Sequence, residues 1–461
     1  MIAKNILNQL IQQLGKESVI FEKEDLLVLG YDATPGLFHL PDVVVYPTST
    51  EAVQAAMQIA REEKMPITPR GSGSGLSGGS IPAEGGMVIC LNRMNKILEI
   101  DEENLTVTAE AGTITLDMAE AVAAKGLFYP PDPASQKIST IGGNVMEDAG
   151  GLRCLKYGVT GDYVMALKCV LPDGTIIFTG GKNVKDVAGY SFKDLLISSE
   201  GTLAIITEIT FRLIPPPQTR QTLLAYFDDI KTAGKAVSEI IAAKIIPSTM
   251  EIMDKTTINC VEDYVAIGLP RDIAALLLIE VDGHPAVVAE DSAGIQEVLK
   301  QVKATEFHIA ANDEEALELA TARRFALSAM ARVSPSTLME DATVPRSCMS
   351  QTFAEIEQLA KKYNLTVGTF GHAGDGNLHP TVLCDERDAD QMKRAHAFFD
   401  DLYTKVLEWG GTVSGEHGIG MAKRDYLLRQ VGPGGIAVMK RIKYAFDPDG
   451  ILNPGKIFAD D

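Results

Sequence analysis

The chain has 461 residues, 46% of them hydrophobic, which excludes disorder as its main state and suits two to four domains of roughly 100–200 residues each. Its 62 acidic against 42 basic side chains give a formal net charge of −20 at pH 7. With no basic block of five or six residues, that balance argues against a nucleic-acid partner, which needs Lys and Arg concentrated against phosphates.

The N-terminal MIAKNILNQLIQQLGKE reads as an amphipathic helix without the apolar core and cleavage site of a signal peptide. No stretch approaches the ~18 consecutive apolar residues of a membrane span. A cytoplasmic location is therefore expected, peripheral to a membrane only through a partner. A helix is expected from Ser49 to Glu63. Short β-rich runs follow at 43–47, 87–91, 105–112, 164–174 and 202–214. Pro215, Pro216 and Pro217 then break any regular element and suit a boundary. Beyond them strands such as LLAYF, ALLLIEVDG, TVGTFGH and PTVLC alternate with helices expected at 314–333 and 390–409. The pattern predicts an α+β chain with three parts, 1–217, 218–410 and 411–461, the middle one built on an antiparallel sheet. Phe398, Phe399 and Trp409 sit at core spacing on the last helix. The six cysteines are scattered with no C-x-x-C pair, which excludes an iron–sulfur cluster or structural zinc built from them and makes them buried thiols.

The most unusual stretch is PRGSGSGLSGGSIP, residues 69–82. Its glycines let backbone amides approach a ligand and cradle phosphate oxygens. The glycine spacing also fits a dinucleotide fingerprint and a nucleophile elbow, but both need a helix opening at the glycines. Here Pro82 and a second strand follow, and a Walker loop would need a Lys that is absent. A pyrophosphate-binding loop between strands is the reading that remains. A second glycine cluster, YPPDPASQKISTIGGNVMEDAGG at 129–151, is read as another loop. Two such loops suit an elongated ligand carrying phosphates and a planar ring.

These stretches, with Glu200-Gly201-Thr202-Leu203, resemble the FAD-binding domain of the vanillyl-alcohol oxidase superfamily. The likeness is closest to the branch that holds D-lactate dehydrogenase, D-2-hydroxyglutarate dehydrogenase and the FAD-binding subunit of glycolate oxidase, and it covers nearly the whole chain. It implies a two-subdomain FAD-binding domain over 1–217, an α+β cap over 218–410, and a C-terminal segment, 411–461, that completes the active site and packs on the FAD domain. By that resemblance Arg70, Gly71, Ser72, Gly73, Ser74, Gly75 and Ser77 hold the pyrophosphate. Pro131, Asp132, Gly142, Gly143, Asn144, Gly150 and Gly151 line the dinucleotide, and Glu200, Gly201 and Ile206 sit by the adenine. Pro69, Thr140 and Asn453 join the cofactor-binding set. Members that attach FAD covalently use a His in or near the first loop. Here that loop carries Ser72 and Ser74, and the only His before residue 280 is His39, so the FAD is expected to be non-covalent.

Three of the seven histidines fall in GTFGHAGDGNLHP, 368–380, and SGEHGIG, 414–420. Asp375-Gly376 is a hairpin turn signal that sets His372 and His379 on facing strand ends. That geometry suits a divalent metal, with Glu416 adding a hard oxygen ligand. The resemblance assigns His372, His379 and Glu416 to zinc, iron or manganese, and His417 to general base. The implied chemistry is oxidation of an α-hydroxy acid. The metal would acidify the hydroxyl, His417 would take its proton, and hydride would pass to flavin N5. Arg323, in the Arg323-Arg324 pair, and Arg346 are the candidates to bind the substrate carboxylate. The Tyr-Lys-Tyr-Asp pattern of hydroxyglutarate dehydrogenases is replaced here by Leu338-Met339-Glu340-Asp341, which favours a small monocarboxylate such as glycolate or D-lactate. A metal-dependent hydrolase and a non-catalytic FAD-binding protein are the alternatives. Reduced flavin needs an outlet, and family members use an iron–sulfur subunit or an electron-transferring flavoprotein.

Overall fold

The computed structural model describes residues 2–458 and divides the chain into two units. The first comprises Met1–Gly150, Val159–Pro216 and Glu416–Asp461; the second comprises Gly151–Gly158 and Pro217–Gly415. The fold is α+β.

The first unit carries two sheets. In the four-stranded sheet, Val43–Val45 and Ile67–Arg70 both run parallel to Met87–Cys90 between them, and Val19–Ile20 adds an antiparallel edge. The helix Thr50–Glu62 connects the two outer parallel strands. Ser49 caps it by accepting from the Ala52 amide at 3.2 Å, and Val53, Ala56, Met57 and Ala60 bury one face at helical spacing. The five-stranded sheet is antiparallel throughout. The glycine stretch at 71–86 runs from strand Ile67–Arg70 to strand Met87–Cys90 with no helix between them.

The second glycine stretch departs from the loop expected. Ile141–Glu147 is a helix despite Gly142 and Gly143. Thr140 supplies the start signal, its Oγ1 accepting from the Gly143 amide at 3.2 Å. Packing explains the glycine: a Cβ on Gly142 would lie 2.8 Å from both Cβ and the carbonyl oxygen of Ala111. The contact thus outweighs the ~1 kcal/mol by which glycine weakens a helix.

The second unit is built on one eight-stranded sheet, antiparallel at every pairing. Thr249–Asp254 lies between Ala275–Gly283 and Thr366–His372, and Thr366–His372 turns back into Asn377–Cys384. The helix expected at 314–333 is interrupted. Asp313–Arg324 ends at Phe325, and Ala326–Met330 follows as a separate short helix. Together these helices and the sheet bury Ala322, Ala326, Ala329 and Met330 with Leu276, Leu278 and Phe370.

The short segment Gly151–Gly158 groups with the second unit, and Asp282 is one of the residues that hold it there. This buried carboxylate accepts from Lys156 Nζ and, at 2.7 Å, from the Tyr157 hydroxyl. Removing one partner of such a pair leaves a charge poorly compensated. Asp282→Ala is therefore expected to lower the unfolding free energy by about 2–4 kcal/mol. Urea titration of the variant checks this, and an unchanged midpoint would contradict it.

Candidate functional site

The first unit contains a cavity of about 1260 Å³, its open mouth included. Its walls include every residue from Pro69 to Gly75, then Thr140, Gly142, Gly143, Asn144, Gly150, Glu200, Gly201 and Ile206, and finally Glu416 and His417. Other expected residues lie off the wall. Ser77 is fully buried, and its carbonyl accepts from the Met421 and Ala422 amides at 2.8 and 3.1 Å. Pro131 and Asp132 are buried, and Gly151 belongs to the second unit. Asn453 Nδ2 donates to the carbonyls of Gly79 and Glu200, at 3.0 and 2.7 Å, and so bolts the glycine loop to residue 200.

The glycine loop needs its glycines where it touches its neighbours. A Cβ on Gly71 would meet Thr140 Oγ1 at 2.2 Å, the atom that caps helix Ile141–Glu147. Gly73 has φ +72°, and its missing Cβ leaves the space taken by the buried Arg70 guanidinium. Arg70 is thus folded beneath its own loop and donates to Ser80 Oγ at 3.2 Å.

Two acids, the buried Glu200 and the half-buried Glu147, stand beside the residues that follow His417. Glu200 has a left-handed backbone, φ 51°, and accepts from the Ile419 and Gly420 amides at 2.7 and 2.6 Å. Glu147 has its Oε2 sealed from solvent without a hydrogen-bond partner, 2.1 Å from where a Cβ on Gly418 would stand. Burial, with Glu200 and Asp32 nearby, pushes the Glu147 carboxyl well above its ordinary range, and burial raises Glu200 as well. Lys456, only 2% exposed, donates to the Ile81 carbonyl at 2.7 Å. Burial lowers its ammonium to about 8 although Asp32 and Glu200 pull the other way. Glu147 lies inside the second glycine stretch, yet no spacing signalled that its carboxyl would face the cavity.

The second unit holds the paired histidines. His372 is opposite Asn377 and His379 is opposite Phe370, so the two histidines are diagonal neighbours across the hairpin. Both are buried, and their rings lie 5.3 Å apart at 88°. Glu251, which sequence reasoning missed, is opposite His372 on the adjoining strand. Its Oε1 lies 2.6 Å from His372 Nδ1, and its Oε2 2.7 Å from an Arg323 terminal nitrogen. The guanidinium of Arg323 stacks 4.6 Å from the centre of the Phe370 ring. Burial alone would raise the Glu251 carboxyl, but Arg323 and the adjoining imidazoles bring it below its ordinary range. Arg346 is exposed, and its Nε donates to the Gly374 carbonyl in the hairpin turn at 2.6 Å.

The second unit also carries the chain as far as Gly415, whose amide donates to the buried Asp341 carboxylate at 2.8 Å. Glu416 is the next residue, and its Oε1 is 3.9 Å from His417 Nε2. Two imidazoles close together, one oriented by a carboxylate, form a donor set suited to zinc, iron or manganese. The side-chain-free backbone around the first unit's cavity is suited to a dinucleotide.

The description "FAD linked oxidases, C-terminal domain" matches residues 216–457, and "FAD binding domain" matches 41–180. The chain is 51% identical to "Glycolate oxidase subunit GlcD" of Bacillus subtilis over 100% of its own length and 98% of the relative's. It is 38% identical to "D-lactate dehydrogenase" of Anaerostipes hadrus over 90% of this chain and 89% of that one. In fold it matches p-cresol methylhydroxylase with a TM-score of 0.79 at 18% identity, covering 100% of this chain and 98% of the other.

Two outcomes follow from the acids and Lys456. Glu200→Gln keeps only one acceptor oxygen for two amides, so hydrogen exchange at Ile419 and Gly420 should rise at least tenfold; unchanged protection would oppose this. Lys456 sits below its unfolded value, so its penalty is complete below pH 8 and relieved between about 8 and 10.5. Stability of the wild type relative to Lys456→Met should therefore improve across that range, by up to about 3 kcal/mol. Denaturant titrations of both proteins at several pH values check the sign.

Proposed function

We propose, for a chain that belongs to the FAD-linked oxidase family, that it oxidises a small D-2-hydroxy acid, glycolate or D-lactate, to the 2-oxo acid. Membership makes FAD the cofactor and redox chemistry the activity. The observation that carries the substrate class is the buried histidine pair, with Glu251 and Arg323, in a chain whose other unit has a dinucleotide cavity.

The walls built from Pro69–Gly75, Thr140–Asn144 and Glu200–Gly201 would hold FAD, which would supply the acceptor for the α-hydride. A divalent metal on His372, His379 and Glu416 would supply Lewis acidity toward the substrate hydroxyl. His417 takes the hydroxyl proton; a neutral imidazole suits this role near pH 7. Arg323 binds the substrate carboxylate, and its burial beneath Phe370 strengthens that attraction. Arg346 is a second carboxylate-binding candidate. The stretch Leu338-Met339-Glu340-Asp341, in place of the Tyr-Lys-Tyr-Asp pattern of hydroxyglutarate dehydrogenases, favours a monocarboxylate. The Glu340 carboxylate accepts from the Tyr403 hydroxyl at 2.7 Å, and Asp341 accepts from Ser414 Oγ and the Gly415 amide.

Electrons leave to a partner, an iron–sulfur subunit or an electron-transferring flavoprotein. The word "subunit" in the Bacillus subtilis relative's name supports this, and so does the lack of a cysteine cluster to receive them within this chain. Among the described residues no helix is long and apolar enough to cross a membrane. The proposed setting is cytoplasmic. The FAD is non-covalent, since Ser72 and Ser74 stand in the loop.

Anaerobic addition of D-lactate or glycolate should bleach the flavin absorbance of the purified protein. A yellow protein that no hydroxy acid bleaches would overturn the reading. His417→Ala should slow that bleaching by roughly 10²–10⁴-fold while FAD content stays constant. Acid precipitation should release all the flavin.

A further inference from the structure

We propose that Glu251 is a positioning residue of this reaction, one carboxylate that orients His372 toward the metal and Arg323 toward the substrate anion. The inference rests on the functional reading above and deepens it.

Strand register places Glu251 directly opposite His372, although 121 residues separate them in sequence. Glu251 is 1% exposed, and a lone carboxylate so deep would be prohibitively costly without partners. It has two, one on each oxygen, at 2.6 and 2.7 Å. The first contact decides a tautomer. A carboxylate against Nδ1 holds the proton there and leaves the Nε2 lone pair to serve as ligand. The second contact is an ion pair to one terminal nitrogen of a guanidinium that is itself 4% exposed. Among the described residues, Arg323 Nε makes no hydrogen bond within the protein. A buried donor of this kind calls for an acceptor from outside, and a substrate carboxylate is one. Phe370 completes the arrangement: Arg323 stacks 4.6 Å from its ring centre, and the His379 ring is 5.3 Å away. Displacing Glu251 would therefore disturb the metal ligand and the anion anchor together.

The test uses the FAD-loaded protein stripped of metal, with Mn²⁺ binding read by electron paramagnetic resonance. Glu251→Gln offers one acceptor oxygen for two donors. It should weaken Mn²⁺ binding by about 10–100-fold and raise KM for the hydroxy acid by at least tenfold, with flavin stoichiometry unchanged. Glu251→Asp keeps the charge on a shorter arm and should recover part of the metal affinity. Glu251→Gln that binds Mn²⁺ within threefold of wild type at an unchanged KM overturns the inference. If Glu251→Gln fails to fold, as loss of its flavin or melting would reveal, Glu251→Met combined with Arg323→Met removes the buried pair together. That double variant should show the same loss of Mn²⁺ affinity, and retained affinity overturns the inference equally. A wild-type protein that binds no Mn²⁺, Zn²⁺ or Fe²⁺ would sink the functional reading itself, a result separable from the variant comparison.

Discussion

The cavity exists because three backbone segments approach more closely than side chains allow. The loop after Arg70, the cap of helix Ile141–Glu147 and the turn after strand Thr106–Glu110 converge on Thr140. A Cβ on Gly71 would meet Thr140 Oγ1 at 2.2 Å, and one on Gly142 would meet the Ala111 carbonyl at 2.8 Å. A third close approach lies at Gly201, where a Cβ would meet Pro69 Cγ at 2.6 Å. Any side chain at these points would push the walls apart. The glycines therefore serve packing as much as ligand contact, and the amides facing the ligand are placed by contacts behind them.

Acids appear in three electrostatic states, and their partners decide which. Glu251 lies between an imidazole and a guanidinium and stays charged. Glu200 is stabilised by backbone donors from Ile419 and Gly420, with desolvation pushing against them. Glu147 has no donor on Oε2, and burial together with Glu200 and Asp32 pushes its carboxyl well above the ordinary range. The same side chain is thus held low by cations in one unit and pushed up by burial and neighbouring acids in the other.

Legibility in the sequence followed the range of the interaction. The glycine stretch, the strand runs and the hairpin around Asp375-Gly376 are local patterns, and their residues alone pointed to backbone approach and paired histidines. Glu251 sits in TMEIMD, where alternation reads as an ordinary strand with one polar interruption. Only register across 121 positions makes that interruption meaningful. The helix at Ile141–Glu147 was hidden because its glycines argue against a helix unless the contact with Ala111 is known. Asp282, one of the residues that hold Gly151–Gly158 in the second unit, is more than a hundred residues away and likewise silent in the sequence.

The chain passes from the second unit to the first between Gly415 and Glu416, and each unit fixes its own end. On one side, Asp341 holds the Gly415 amide and Ser414, and a Cβ on Gly415 would collide with Thr343 Oγ1 at 2.2 Å. On the other, Glu200 holds Ile419 and Gly420. Between these anchors lie only Glu416, His417 and Gly418. The position of Gly418 adds a further limit, since φ of +79° and the closeness of Glu147 leave room for no side chain there.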